Sequence, residues 1–131
     1  MSFSINISDK AMQNENFREV IFTGEKTQLV VMSIPVAGEV GEETHRHVEQ
    51  TLYIISGTCE VILNDITSKV EAGGIVVVTP NTKHNFINVG NQPVKIITVY
   101  SPPNHIDGRI HKTIEDAIAD AEDEEFGEKV V

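Results

Sequence analysis

The sequence predicts an all-β domain, a sandwich or closed barrel, with a short helix appended at its C-terminus. Three observations carry this. Short apolar runs recur between turn residues from Gln28 to Tyr100. No stretch before residue 112 reads as an amphipathic helix of useful length. The texture then changes at Thr113 to an acid-rich segment with helical spacing. Many short strands separated by Gly, Pro and Asn turns are the pattern of a sandwich or barrel.

The elements follow in order. Residues 1–20 are polar with scattered apolar positions and predict an irregular lead-in with at most one short strand. Leu29–Ile34 (LVVMSI) is a compact apolar strand that Pro35 ends. Residues 37–44 form a Gly- and Glu-rich loop. Thr51–Ser56 and Thr58–Leu63 flank Gly57, which predicts a hairpin or tight bend. Asn64-Asp65 starts another turn before a short polar strand at Ser68–Ala72. Gly73-Gly74 and Pro80-Asn81 bracket the apolar strand Ile75–Thr79. Asn85–Val89 and Val94–Tyr100 are two further strands. In the final segment Thr113-Ile114-Glu115-Asp116 resembles a capping box. Ile114, Ala117, Ile118 and Ala121 then make one narrow apolar helix stripe.

Composition narrows the function classes. A chain of 131 residues is one domain's worth, divided here into a barrel with its N-terminal extension (1–112) and an acidic helix and tail (113–131). The formal charge of −10 is uneven. Residues 113–131 hold eight acids and one lysine, or −7, leaving −3 for the rest. Neither part offers a basic stripe, which argues against nucleic acid as a partner. The run Asp120–Glu125 reads as a solvated helix end running into a frayed tail. No apolar run approaches a membrane span, and the N-terminus lacks the pattern of a signal peptide. The single Cys59 cannot form an internal disulfide and reads as an inert, buried strand residue. A cytoplasmic location is the expectation.

Three of the five histidines fall in two short segments: His45 and His47 in GEETHRHVEQTLYIISG, and His84 in GGIVVVTPNTKHNFIN. Histidines at i and i+2 share one face of a strand. Three convergent imidazoles suit Fe, Mn, Ni, Cu or Zn better than Mg²⁺. Continued alternation would put Glu49 on that face, whereas a turn at Val48-Glu49 would reset the register. Gln50, Leu52 and Ile54 would then point inward together. His105 and His111 read as exposed loop residues, with a place for one of them at a neighbouring mouth or subunit contact as the alternative; Tyr53 and Arg46 read as outward-facing, and Phe86 as an apolar wall near His84.

The two segments resemble the paired motifs of the cupin superfamily. His45-Arg46-His47 matches the His-x-His pair and Gly57 the closing Gly of the first motif, with Gln50 where that motif has Glu. The second motif is matched by Gly73, His84 and Asn88, with Thr79 for its Pro, Pro80 at the free position that follows, and Asn81 for its Gly. Asn tolerates the left-handed conformation, so a turn at Asn81 remains feasible. The chain is similar to small conserved-barrel cupins, some labelled mannose-6-phosphate isomerase-like. The resemblance implies a double-stranded β-helix, or jelly roll, and a homodimer. It also implies a divalent transition metal held by His45, His47, Gln50 and His84, with Glu49 the alternative to Gln50.

The function so implied is a metalloenzyme of dioxygenase or isomerase type acting on a small bidentate or anionic metabolite. A non-catalytic sugar- or metabolite-binding barrel is the alternative, because no residue beside the ligand set is an unambiguous general acid or base.

Overall fold

The computed structural model describes residues 1–131 and has two antiparallel sheets facing each other. The strands are β1 (Arg18–Thr23), β2 (Gln28–Ile34), β3 (Glu49–Ser56), β4 (Thr58–Leu63), β5 (Ile66–Glu71), β6 (Ile75–Val78), β7 (His84–Asn88), β8 (Val94–Ser101) and β9 (Ile110–His111). Helix α1 spans Ile7–Gln13, α2 spans Ile114–Ala119 and α3 spans Ala121–Glu128. The large sheet runs β6-β3-β8-β2-β1-β9 and the small one β5-β4-β7. Bridges from Glu39 to Ile87 and from Glu43 to His84 lay residues 39–43 along the free edge of β7. This is the jelly roll expected from the motifs, closed by a short C-terminal helical segment.

Alternation places the core. In β3 Gln50, Leu52 and Ile54 are buried between exposed or half-buried neighbours. In β7 the buried set is His84, Phe86 and Asn88. Central strand β2 is buried along nearly its whole length because it has β1 and β8 on either side and lies under α1. These faces join in one cluster of 17 buried residues.

The turns behave as their residues dictate. Asn64 and Asp65 both have positive φ, 47° and 68°, and close the β4–β5 hairpin. Gly57 (φ 92°) is a corner, not a hairpin: β3 and β4 belong to different sheets. A Cβ there would meet the Pro93 carbonyl and Val94 Cα at 3.0 Å. Asn81 takes φ 66°, so it does supply the left-handed turn.

Three sequence expectations are corrected. The lead-in contains helix α1, capped by the Asn6 side chain accepting from the Asp9 N–H, and then β1. Its seven residues bury only Ala11, too little to leave a periodic signature. The acidic C-terminus is likewise not a frayed tail. It forms α2 and α3, each with a side-chain N-cap (Thr113 and Asp120), and Asp123 is 4% exposed. His105 and His111, expected in exposed loops, are buried because those acids reach them.

Candidate metal centre

Residues 39–45 and β7 meet at one end of the barrel. The reciprocal backbone bonds between Glu43 and His84, both 2.9 Å, fix the two segments in register. The Asn81 N–H donates to the His45 carbonyl at 2.7 Å, so the left-handed turn before β7 also tethers the histidine segment. Together these bring Glu43, His45 and His84 into one group, with a ligand atom of each within 4.8 Å of the others.

The donors are prepared for a cation. His84 Nδ1 lies 2.8 Å from the Thr82 carbonyl, so Nδ1–H donates there and Nε2 keeps its lone pair. That Nε2 is buried and has no partner. His45 Nε2 is also buried without a hydrogen bond, and lies 3.1 Å from Glu43 Oε2. The rings of His45 and His84 are 5.1 Å apart, centroid to centroid. Burial lowers the His84 pKa, only partly opposed by the Thr82 contact, which favours the neutral imidazole a metal needs. Burial would raise the Glu43 carboxyl, but the His45 contact and the nearby Arg18 charge hold it at about 2. It is therefore an anionic donor at any working pH.

Gln50 and His47 are placed differently from one another. Gln50 is 3% exposed; its amide N–H donates to Thr98 Oγ1 at 3.0 Å, leaving Oε1 buried and unpartnered. Its cross-strand neighbour Tyr100 packs edge-on to His45, with ring centroids 6.2 Å apart. Glu49 is exposed on the opposite face of β3. His47 does not join the group. The chain bends at Arg46-His47, which breaks the alternation, and His47 stands exposed at the mouth. Glu43 occupies the place that the sequence argument gave to His47. The signal was present: Glu43 is two residues before His45, as His47 is two after it. Two imidazoles and a carboxylate form a donor group that fits a divalent transition ion, and Gln50 Oε1 is a further buried oxygen without a partner.

The mouth is roofed by the C-terminal helices. A cavity of about 790 Å³ lies between them and the barrel, lined by Glu43, His45, Arg18, His105, Ile114 and Asp123 among others. Phe86 packs edge-on to His84 and Tyr100 edge-on to His105, so both histidine rings are backed by the core. Arg18 is a residue the sequence did not mark, since it sits in no recognisable motif; for His105 the mouth is only the alternative that the sequence leaves to an exposed loop.

Comparison with known proteins agrees with this architecture. The profile of the family described as Cupin domain matches residues 30–100. An uncharacterized protein of Bacillus subtilis, YrkC, is 37% identical over 127 residues, covering 92% of this chain and 68% of its own length. The crystal structure of BH2720 from Bacillus halodurans superposes with a TM-score of 0.89 at 32% identity, over 91% of this chain and 95% of that one. A Klebsiella pneumoniae protein with a double-stranded β-helix domain superposes with a TM-score of 0.68 at 23% identity, over 86% and 100% of the two chains, a likeness of fold alone.

Proposed function

The chain belongs to the cupin domain family, and from that premise we propose that it is a metalloprotein acting on a small anionic metabolite. Glu43, His45, Gln50 and His84 hold one divalent transition ion, among Fe, Mn, Ni, Cu and Zn. The observation that carries this reading is the buried, unpartnered His84 Nε2 grouped with His45 Nε2 and the Glu43 carboxylate, which lie 3.1 Å apart. Stranding such an acceptor in a protein interior is costly unless something occupies it. The bound ion would supply Lewis-acid or redox activation of a chelating substrate. The chain's own contribution is a cavity beside this group, roofed by the C-terminal helices and lined by charged as well as apolar side chains, that orients the ligand.

The charge balance supports an anionic substrate. One carboxylate donor leaves a divalent centre with net charge of about +1, which an anionic chelator neutralises. Dioxygenase and isomerase chemistry both remain compatible with such a centre; the mannose-6-phosphate isomerase-like label names one of them. The homodimer implied by the family resemblance belongs to the same proposal. Tyr53, Ile75 and Val77 give it support as exposed apolar residues on β3 and edge strand β6. Light scattering would measure it.

The test is elemental analysis of tag-free protein beside Glu43→Gln, His84→Ala, Gln50→Ala and His47→Ala variants. The expected result is about one transition ion per chain in wild type and His47→Ala, and loss in the other three. No metal in the wild type after reconstitution would overturn the reading.

A further inference from the structure

The cavity holds two buried basic side chains that the barrel leaves unsatisfied. Arg18 is 5% exposed and its Nε has no hydrogen-bond partner. None of the ion pairs in the structure includes it. A guanidinium stays charged in any protein; Glu43 and Asp123 lie near enough to feel this charge, but neither forms a direct ion pair with it. What Arg18 has instead is a scaffold. Its Nη1 lies 3.4 Å from His111 Nδ1, and its carbon sits 5.2 Å from the centre of the Phe17 ring. His111 in turn places Nε2 2.8 Å from Asp120 Oδ2. The tautomer follows: Nε2–H donates to Asp120, and Nδ1 accepts from Arg18.

His105 is arranged in parallel. Its Nδ1 lies 2.7 Å from Asp123 Oδ2, so that nitrogen carries the proton and donates it. Its Nε2 is buried and has no partner. Gln28 clamps the backbone beneath it, accepting from the N–H groups of Asn104 and His105 and donating to the His105 carbonyl at 2.7 Å. Arg18 and His105 line the same cavity as Glu43 and His45. His111, Asp120 and Asp123 also cluster closely enough to suggest a second cation site. Their polar atoms, however, are already engaged with Arg18, Arg109 and His105. That cluster is a scaffold holding the two bases.

We propose that Arg18 and His105 are the recognition half of the site and that they select a small hydroxy acid. The Arg18 guanidinium donates to the carboxylate, and the unprotonated His105 Nε2 accepts from the hydroxyl. The two demands are complementary: one subsite offers a charged donor, the other a lone pair. An anion without a hydroxyl satisfies only the first, and a neutral diol only the second. This inference rests on the metal reading above, since the same cavity reaches Glu43 and His45 of that group.

The experiment is calorimetric titration of the full chain, metal-loaded and metal-free, with glycolate, acetate and ethylene glycol as probes. Metal content is measured on each sample. The expected result is glycolate binding about tenfold more tightly than acetate, with ethylene glycol weaker than both. Arg18→Gln is expected to weaken glycolate and acetate about tenfold or more while metal content is unchanged. Arg18→Lys, which keeps the charge and guards against a folding failure in the first variant, is expected to fall between. The double variant His105→Leu/Asp123→Asn removes the base together with its buried counter-charge. It is expected to abolish the preference for glycolate over acetate. Equal affinities for glycolate and acetate in wild type, or glycolate affinity unchanged in Arg18→Gln, would overturn the inference while leaving the metal site intact. Absence of metal in every sample would instead overturn the metal reading, and the metal-free titrations would still read the Arg18 subsite.

Discussion

Replacing Asp123 by alanine tests whether the acidic C-terminus is part of the barrel or a solvated appendage. The carboxylate is 4% exposed and accepts two bonds of 2.7 Å, from His105 Nδ1–H and the Ile106 N–H. Alanine removes both acceptors and leaves two donors buried. A hydrogen bond to a charged group contributes about 1.5–3 kcal/mol, and breaking a buried pair by deleting one partner costs about 3–5 kcal/mol. A loss of about 3–5 kcal/mol is therefore expected from a domain whose total stability is of order 5–15 kcal/mol. At about 2 cal/mol/K of unfolding entropy per residue, that lowers Tm by roughly 10–18 °C.

Asp123→Asn keeps the shape and one acceptor, and His105 can change tautomer to accept from the amide. The expected cost is about 1–2 kcal/mol. Glu124, exposed and in none of the ion pairs, is the control, with Glu124→Ala within about 0.5 kcal/mol of wild type. Scanning calorimetry measures all three. If Asp123→Ala melted within about 1 °C of Glu124→Ala, the helices would not be tied to the barrel through this residue, and the positioning of His105 would need another cause.

Three further outcomes are expected. Burial lowers the His105 pKa and the neighbouring Arg18 charge lowers it further, against opposition from Asp123 and Glu43, while Tyr100, pushed up to about 12, stays neutral. The unfolded chain thus takes up a proton near the ordinary value of 6.5 while the folded one does not, so stability is full above that pH and declines as pH falls through it. Urea midpoints across that range should fall more steeply for wild type than for His105→Leu/Asp123→Asn; equal slopes would remove His105 from the explanation. Asn81→Val puts a β-branched residue at φ 66° and should cost about 1–2 kcal/mol in chemical denaturation, whereas Asn81→Gly should be nearly neutral. Cys59 is fully buried and its thiol is raised to about 11, so a thiol reagent should label it only after unfolding. Labelling of the native protein at the unfolded rate would contradict its place in the core.

The strands and turns were legible because their causes are local. Alternation in β3 and β7 needs only neighbouring residues, and Asn64-Asp65, Gly57 and Asn81 each advertise a left-handed backbone. What escaped was set by partners distant in sequence. Asp120 and Asp123 look like solvent-facing acids until β1 and the 104–111 segment supply Arg18, His105, Arg109 and His111 around them. No window of residues contains both sides of those contacts. The same reasoning explains the misjudged histidines: His105 and His111 lie in a stretch with no periodicity, and residues outside that stretch, Tyr100 and Asp123 for one and Arg18 and Asp120 for the other, close around them.

The metal group shows where a local rule holds and where it stops. Alternation correctly pairs residues two apart only while the backbone stays extended. It holds from Glu43 to His45, where the chain is pinned to β7 by the Glu43–His84 bridge and by the Asn81 contact to the His45 carbonyl. It fails at His47, two residues on, because nothing pairs with the backbone there and the chain bends toward β3. The bend has a second effect. It resets the register so that Gln50 turns inward and Glu49 outward. A single change of direction therefore exchanges His47 for Glu43 in the close group and places an amide, in preference to a second carboxylate, on the inner face. The resulting donor set carries one negative charge where the imidazole-only set would carry none. On the proposed reading that difference lowers the charge of a bound divalent ion to about +1, and an anionic ligand in the same cavity would also meet the buried Arg18 charge.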